Sequence, residues 1–398
     1  MKSRLTILIC FLVPFCCNTL AGETSLDTLR IATFNVSIEA TNYLPRKDVA
    51  DDPSRAIVVS EHLASGNNEQ ISNVAQIIQR VRPDIILLNE FDFIADSEKG
   101  IELFVKNYLN VSQGNQPALD LPYFYIAPSN TGLSTAFDLD RNGRKTGVAG
   151  DAQGFGFYPG QYGMAILSRF PIDYNRARTM QNFLWKDMPN HLKPRIPNGE
   201  AWYSDEQWSQ LRLSSKSHWD IPINTPKGVI HIIAAHPTPP TFDGSEDRNG
   251  KRNHDEIRFI SDYLSSEPYI YDDQGRKGGI DQGSRFVVLG DLNSSPTEGE
   301  SIKTGIKGLL DHALIDSSCE PKSTAGKNAR PENQYAEYHT AAWGLRVDYA
   351  LPSREGLTVV NCGLYWPTKS SPEYSLIADR KSSSDHRLVW VDVRLTEQ

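Results

Sequence analysis

The sequence predicts a layered α/β sandwich, of α/β or α+β class, on three observations. Short β-branched apolar runs recur along the whole chain, a few amphipathic helical patterns lie between them, and several runs end abruptly in a polar residue. Many strands with segregated helices exclude a helical bundle. The absence of any internal repeat excludes a solenoid.

The elements follow in chain order. Lys2 and Arg4 precede an apolar run from Leu5 to Cys17 that is too short to span a bilayer, and Thr19 and Ala21 form a small-residue cleavage site. This is the pattern of a secretory signal peptide over residues 1–21. The mature chain is therefore expected to be exported, to a periplasm or the extracellular medium, as a monomer without stable membrane insertion. No later stretch approaches the roughly 18 apolar residues of a membrane span.

Strands are predicted at residues 29–34, 84–88, 164–167, 229–234, 286–289, 347–351 and 388–393. Ile71, Val74, Ile77, Ile78 and Val81 line one face of a helix that Pro83 ends, and a second helix runs from His254 towards Leu264. Stretches 36–66, 127–160 and 237–253 carry few periodic apolar residues and read as long loops that build a surface. Residues 173–226, rich in Trp and Pro, read as a packed flap. One domain, residues 22–398, holds all of these as insertions.

The formal net charge is −8, and removing Lys2 and Arg4 takes the mature chain to about −10. That balance disfavours nonspecific binding to a polyanion, which needs clustered Lys and Arg. Cys10, Cys16 and Cys17 leave with the signal, so Cys319 and Cys362 remain for an oxidising compartment. One disulfide is the natural expectation, two separately buried thiols the alternative.

A polar residue just past the carboxyl end of a buried strand holds chemistry rigidly at a sheet edge, and this chain repeats the device. Residues 31–34 lead to Asn35, residues 85–89 to Glu90, residues 232–235 to His236, and residues 287–290 to Asp291 and Asn293. In an extended segment i and i+2 share a face, which aims Asp291 and Asn293 at one site. Asp348 and the Asp385-His386 pair follow. Hard oxygen ligands such as Glu90 and Asp385 suit Mg²⁺, Mn²⁺ or Ca²⁺ better than zinc. Taken singly, Asn35 or Asn293 reads equally as a turn or cap residue, and Asp348 as an ion-pair partner of Arg346.

Taken together, Asn35, the LLNEFD segment with Glu90, YGMAILSRFPI, AAHP with His236, GDLNSSP, RVDYALPS and SSDHRLVWVDV resemble, in order and form, the endonuclease/exonuclease/phosphatase superfamily across residues 29–395. The resemblance implies the deoxyribonuclease I-like fold, a four-layered sandwich of two packed, mostly antiparallel sheets flanked by helices, with the site at one edge. It implies a metal-dependent hydrolase acting on phosphoric esters, most simply with Mg²⁺. Glu90 then resembles the principal metal ligand, assisted by Asn35 and Asp385. His386 resembles the catalytic histidine, oriented by Asp348. Asp291 would orient or deprotonate the attacking water, Asn293 would hold the phosphoryl group, and His236 matches a second histidine.

Substrate choice must come from the insertions. Tyr162, Lys216, His218, Arg248 and Arg252 are the candidate phosphate contacts. The alternatives for them are flap packing and a solvated charged loop. A phosphomonoesterase or phosphodiesterase on small esters is the expected function. A nuclease, with nucleic acid met as substrate only, should show a basic stripe. A sphingomyelinase-type enzyme lacks an exposed apolar hairpin here, and a binding module would not need every catalytic position filled.

Overall fold

The computed structural model describes residues 28–396. The expected signal peptide lies outside them. Within the described residues one sheet has six strands in the order β10-β11-β1-β2-β4-β3, formed by β1 (Thr28–Ile38), β2 (Ile85–Phe91), β3 (Tyr123–Ile126), β4 (Met164–Ser168), β10 (Leu357–Leu364) and β11 (Val389–Leu395). The other has five in the order β5-β6-β7-β8-β9, formed by β5 (Arg178–Thr179), β6 (His218–Thr225), β7 (Gly228–Ala235), β8 (Phe286–Asp291) and β9 (Asp348–Pro352). Each sheet has one parallel pair, β1 with β2 and β7 with β8, and its other neighbours run antiparallel.

A parallel pair needs a crossover, and a helix supplies each one. The helix Glu69–Val81 links β1 to β2. Asn68 caps it by accepting from the Ile71 N–H, Ile71, Val74, Ile77 and Ile78 are buried, and Arg82 ends it in the left-handed conformation before Pro83. The helix Arg248–Leu264 links β7 to β8 and buries Ile257, Phe259, Ile260 and Leu264.

Alternation along the strands sorts the core into layers. Ile31, Ile85, Leu87, Ile232, Ala234, Val287 and Leu289 meet between the sheets. Their neighbours Ala32, Phe34, Ile86 and Leu88 pack outward on the first helical layer, and Ile233, Ala235 and Val288 on the second. The four-layered sandwich expected from the sequence is therefore present.

Several expectations need correction. Residues 36–66 are not one loop: β1 continues to Ile38, and helices Arg46–Asp51 and Val58–Ser65 follow. Residues 173–226 are not only a flap, because they supply β5 and β6 and so one side of a sheet. β6 escaped notice because Pro222 interrupts its pattern. Its partner is His231, and the Pro222 carbonyl instead accepts from the Asp173 N–H beyond the strand. β10 escaped because it is a half-exposed edge strand with a register shift between Val359 and Asn361. Trp185 and Trp208 do pack as a flap core, their rings 5.0 Å apart.

The insertion 127–160 is ordered by carboxylates that accept backbone N–H groups. Asp138 takes those of Asn142 and Gly143, and Asp151, fully buried, takes those of Leu139 and Thr146. Gly154 closes the insertion onto the segment just before β6, where an added Cβ would stand 1.9 Å from the Ser215 carbonyl oxygen.

Cys319 and Cys362 form a disulfide across 43 residues, fastening the segment before helix Thr324–Ala329 to edge strand β10. Closing a loop of that length should stabilise the fold by about 4 kcal/mol on the chain-entropy model. Urea denaturation of Cys319→Ser/Cys362→Ser is expected to show a loss of this size and an unchanged midpoint when reductant is added. A wild type indifferent to reductant would contradict it.

Candidate active site

The carboxyl ends of β1, β2, β7 and β8 bring their polar residues to one edge of the sandwich. Asp291 ends β8 and is buried. Its Oδ2 accepts from Asn35 Nδ2 at 3.1 Å and lies 3.4 Å from His236 Nε2 and 3.5 Å from His386 Nε2. Its N–H donates to Asn89 Oδ1, which also accepts from Thr33 Oγ1. One carboxylate thus gathers groups from both sheets.

His386 is held from behind. Its Nδ1 lies 3.0 Å from Asp348 Oδ2, and the rim of Trp343 meets the ring edge-on at 4.7 Å. Thr340 Oγ1 accepts the N–H groups of Val347 and Asp348, while the Ala342 N–H donates to the Asp385 carbonyl. The loop carrying Asp348 and the loop carrying His386 therefore lock each other in place. Arg346 does not pair with Asp348; it reaches Glu320 instead.

Burial pulls the His386 pKa down, but Asp348 and Asp291 outweigh it and hold the imidazole up to about 10. Burial pushes Asp291 up to about 7, against the pull of His386. The direction that follows from the geometry is a charged His386 imidazole held beside Asp348 and Asp291. His236 has the opposite environment: burial, then the charges of Lys216 and His386, press its pKa well down. Its Nδ1 is buried with no hydrogen-bond partner among the described residues.

Asn293 shares the site by a different route from the one its spacing implies. β8 stops at Asp291, and Asn293 is left-handed (φ 52°) rather than extended. Its N–H donates to Asp291 Oδ1 and its Nδ2 to the Pro237 carbonyl. Glu90 is also left-handed (φ 53°), which turns its side chain out of the strand alternation and beside Arg380.

Around Glu90 lies a second group. Arg380 Nη2 donates to Glu90 Oε2 at 2.9 Å and stands 3.6 Å from Glu39 Oε1, and Arg380 Nη1 stands 3.6 Å from Asp385 Oδ1. Burial and the charge of Glu90 push the Glu39 pKa up. Arg380, Glu39, Asn89 and Thr340 were not singled out from the sequence. Arg380 sits in a Ser- and Lys-rich loop without periodicity, and the β1 register breaks between Asn35 and Ile38, so alternation does not extend to Glu39.

The candidate phosphate contacts divide. Lys216 is buried at 6% exposure; that burial lowers its pKa, and Glu256, then Glu90 and Asp291, partly offset it. Tyr162, left-handed and half-buried, feels Glu39 and Glu90. The other three lie apart. His218 bonds Ser214 through Nδ1 and the Glu256 carbonyl through Nε2. Arg252 is tied to the carbonyls of Leu213, Gln153 and Arg212, and Arg248 pairs with Glu246. Their polar atoms serve the fold locally, as a histidine or arginine among carbonyl groups commonly does.

The residues fit a hard divalent cation. Asn35, Glu90, Asp291 and Asp385 offer only oxygen, and Asp385 Oδ1 is buried without a hydrogen-bond donor among the described residues. Asp291, Asp348 and His386 also place possible ligand atoms within 4.8 Å of one another. The hydrogen-bond chain from Asp348 through His386 accounts for that trio.

Asp348→Asn tests the electrostatics. Because the folded pKa of His386 is raised, its stabilisation is complete below about pH 6.5 and is lost as pH rises through about 10. The variant is expected to lose about 3 kcal/mol at pH 7 and to show a flatter decline in stability from pH 7 to 10. Urea denaturation across that range, with imidazole resonances followed by NMR, measures both. A His386 titration unmoved by the substitution would contradict the assignment.

The model of the Endonuclease/Exonuclease/phosphatase family matches residues 32–386. Among solved structures, the chain is similar to an endonuclease/exonuclease/phosphatase from Beutenbergia cavernae (17% identity, TM-score 0.48, covering 93% of this chain and 72% of that one). It is also similar to a family protein from Leptotrichia buccalis (15%, TM-score 0.47, 92% and 100%) and to sphingomyelinase C from Streptomyces griseocarneus (12%, TM-score 0.47, 93% and 99%). Among curated proteins, none matches the chain.

Proposed function

The chain belongs to the Endonuclease/Exonuclease/phosphatase family, and on that premise we propose that it is an exported, divalent-metal-dependent phosphoesterase hydrolysing small phosphate esters by attack of water. The observation that carries this reading is the Asp291 carboxylate, reached at once by Asn35, His236 and His386 and backed by Asp348.

Glu90, Asn35 and Asp385 would hold the metal, most simply Mg²⁺. Bound there, it would withdraw charge from the phosphoryl oxygens and the leaving group. Asp291, a buried base at the convergence of these donors, orients the water and accepts its proton. His386, raised in pKa by Asp348 and Asp291, suits donation to a phosphoryl oxygen better than proton abstraction. Neutral His236 offers a second ring N–H at the same carboxylate. Asn293 lines the phosphoryl position, with buried Lys216 and half-buried Tyr162 as substrate contacts.

Export is supported by the leader pattern of residues 1–21 together with the disulfide. No helix of the described residues is long and apolar enough to cross a membrane. The acidic net charge favours small esters over a nucleic-acid duplex.

Hydrolysis of 4-nitrophenyl phosphate and bis(4-nitrophenyl) phosphate, run in parallel with Mg²⁺, Mn²⁺, Ca²⁺ or chelator, tests the reading. Turnover of at least one ester is expected with metal and none with chelator. Glu90→Ala and His386→Ala should each fall by about a thousandfold. Activity that survives both substitutions or the chelator would sink it.

A further inference from the structure

We propose that Arg380 is a substrate-binding residue that takes the third non-bridging oxygen of a terminal phosphate, so that the site's substrates are phosphomonoesters. This rests on the phosphoesterase reading above and names its substrate class.

The argument begins with unspent donors. A guanidinium carries five N–H groups in a fixed fork. Among the described residues, that of Arg380 makes one hydrogen bond, from Nη2 to Glu90 Oε2. Glu39 and Asp385, each 3.6 Å away, are charge neighbours rather than hydrogen-bond acceptors. The side chain is 40% exposed, which leaves its remaining donors open to solvent. Three carboxylates fix where the charge sits while leaving most of the fork unused.

The other cations of the site are buried or lie elsewhere. Lys216 is buried, and the His386 imidazole is held between Asp348 and Asp291. Arg248 and Arg252 are spent on Glu246 and on backbone carbonyls. Arg380 is joined to this group through Glu90, whose charge reaches Lys216, and through Asp385, the chain neighbour of His386.

Oxygen counting then assigns the substrate. A phosphodiester has two non-bridging oxygens and one negative charge, and the buried donors Lys216 and His386 suffice for it. A monoester dianion has a third oxygen and a second charge. A partly exposed guanidinium with free donors is the group that would distinguish the two, because its attraction for a dianion is twice that for a monoanion at equal distance.

Calorimetry on the full chain tests this with Mn²⁺ alone, then with inorganic phosphate and dimethyl phosphate added to the Mn²⁺-loaded protein. Arg380→Gln is expected to bind Mn²⁺ at least as tightly as the wild type, because a cation beside Glu90 and Asp385 is removed, and that binding also reports a folded site. It should bind inorganic phosphate about thirtyfold more weakly and dimethyl phosphate almost unchanged. Arg380→Lys should fall between, as a point charge without the fork. In turnover, the wild type should favour 4-nitrophenyl phosphate over its bis ester, and Arg380→Gln should erase that preference. Equal weakening of both anions, unchanged phosphate binding, or a tenfold loss of Mn²⁺ affinity would each overturn the assignment. Arg380-dependent phosphate binding without hydrolysis of either ester would support it and overturn the catalytic reading instead.

Discussion

A buried carboxylate at the seam of two sheets organises this molecule. Asp291 belongs to one sheet, but its Oδ2 accepts from Asn35 of the other, and its backbone N–H donates to Asn89 of the other. An unpaired carboxylate buried this deeply would cost several kcal/mol. The sheets must therefore meet in the register that supplies these donors, and the same register delivers His236 and His386 to within 3.5 Å. The constraint that aligns the apolar layers also assembles the chemistry.

What could be read from the sequence were the features that repeat a simple rule. The buried runs leading to Asn35, Glu90, His236 and Asp291 were legible, although β1 continues past Asn35 to Ile38 and Glu90 leaves the strand alternation through a left-handed backbone. Asn293 converges as expected, but through a left-handed turn, because β8 stops two residues earlier. Arg380 and Glu39 were not legible. Their places are set by tertiary geometry, one in an aperiodic loop and the other beyond a break in register. Strand β6 was hidden by Pro222 and β10 by its half-exposed edge, both cases where pairing overrides pattern.

The insertions surround the site without sharing one mode of order. Residues 127–160 are held by carboxylates capping backbone N–H groups, the segment 173–226 by tryptophan packing and two strands, and the chain after His236 by Asn253, whose Nδ2 donates to the Thr238 and Leu292 carbonyls. His218 and Arg252 belong to this scaffolding. Their resemblance to ligand-binding residues reflects the same need for donors that buried loop carbonyls create.

The place of β11 has a consequence for how the chain comes together. Strand β11, the last of the described strands, is not an edge: it lies between β10 and β1, with Thr28 opposite Arg394. Without β11 in place, β1 exposes a bare row of backbone donors and acceptors, and the loop carrying Asp385 and His386 has no strand to anchor it. The first sheet's pairing is therefore complete only once β11 is in place. Long-range closure of this kind is slow and favours one concerted step over stepwise folding. Removal of β11 would break the first sheet's continuity and, with it, one wall of the candidate site.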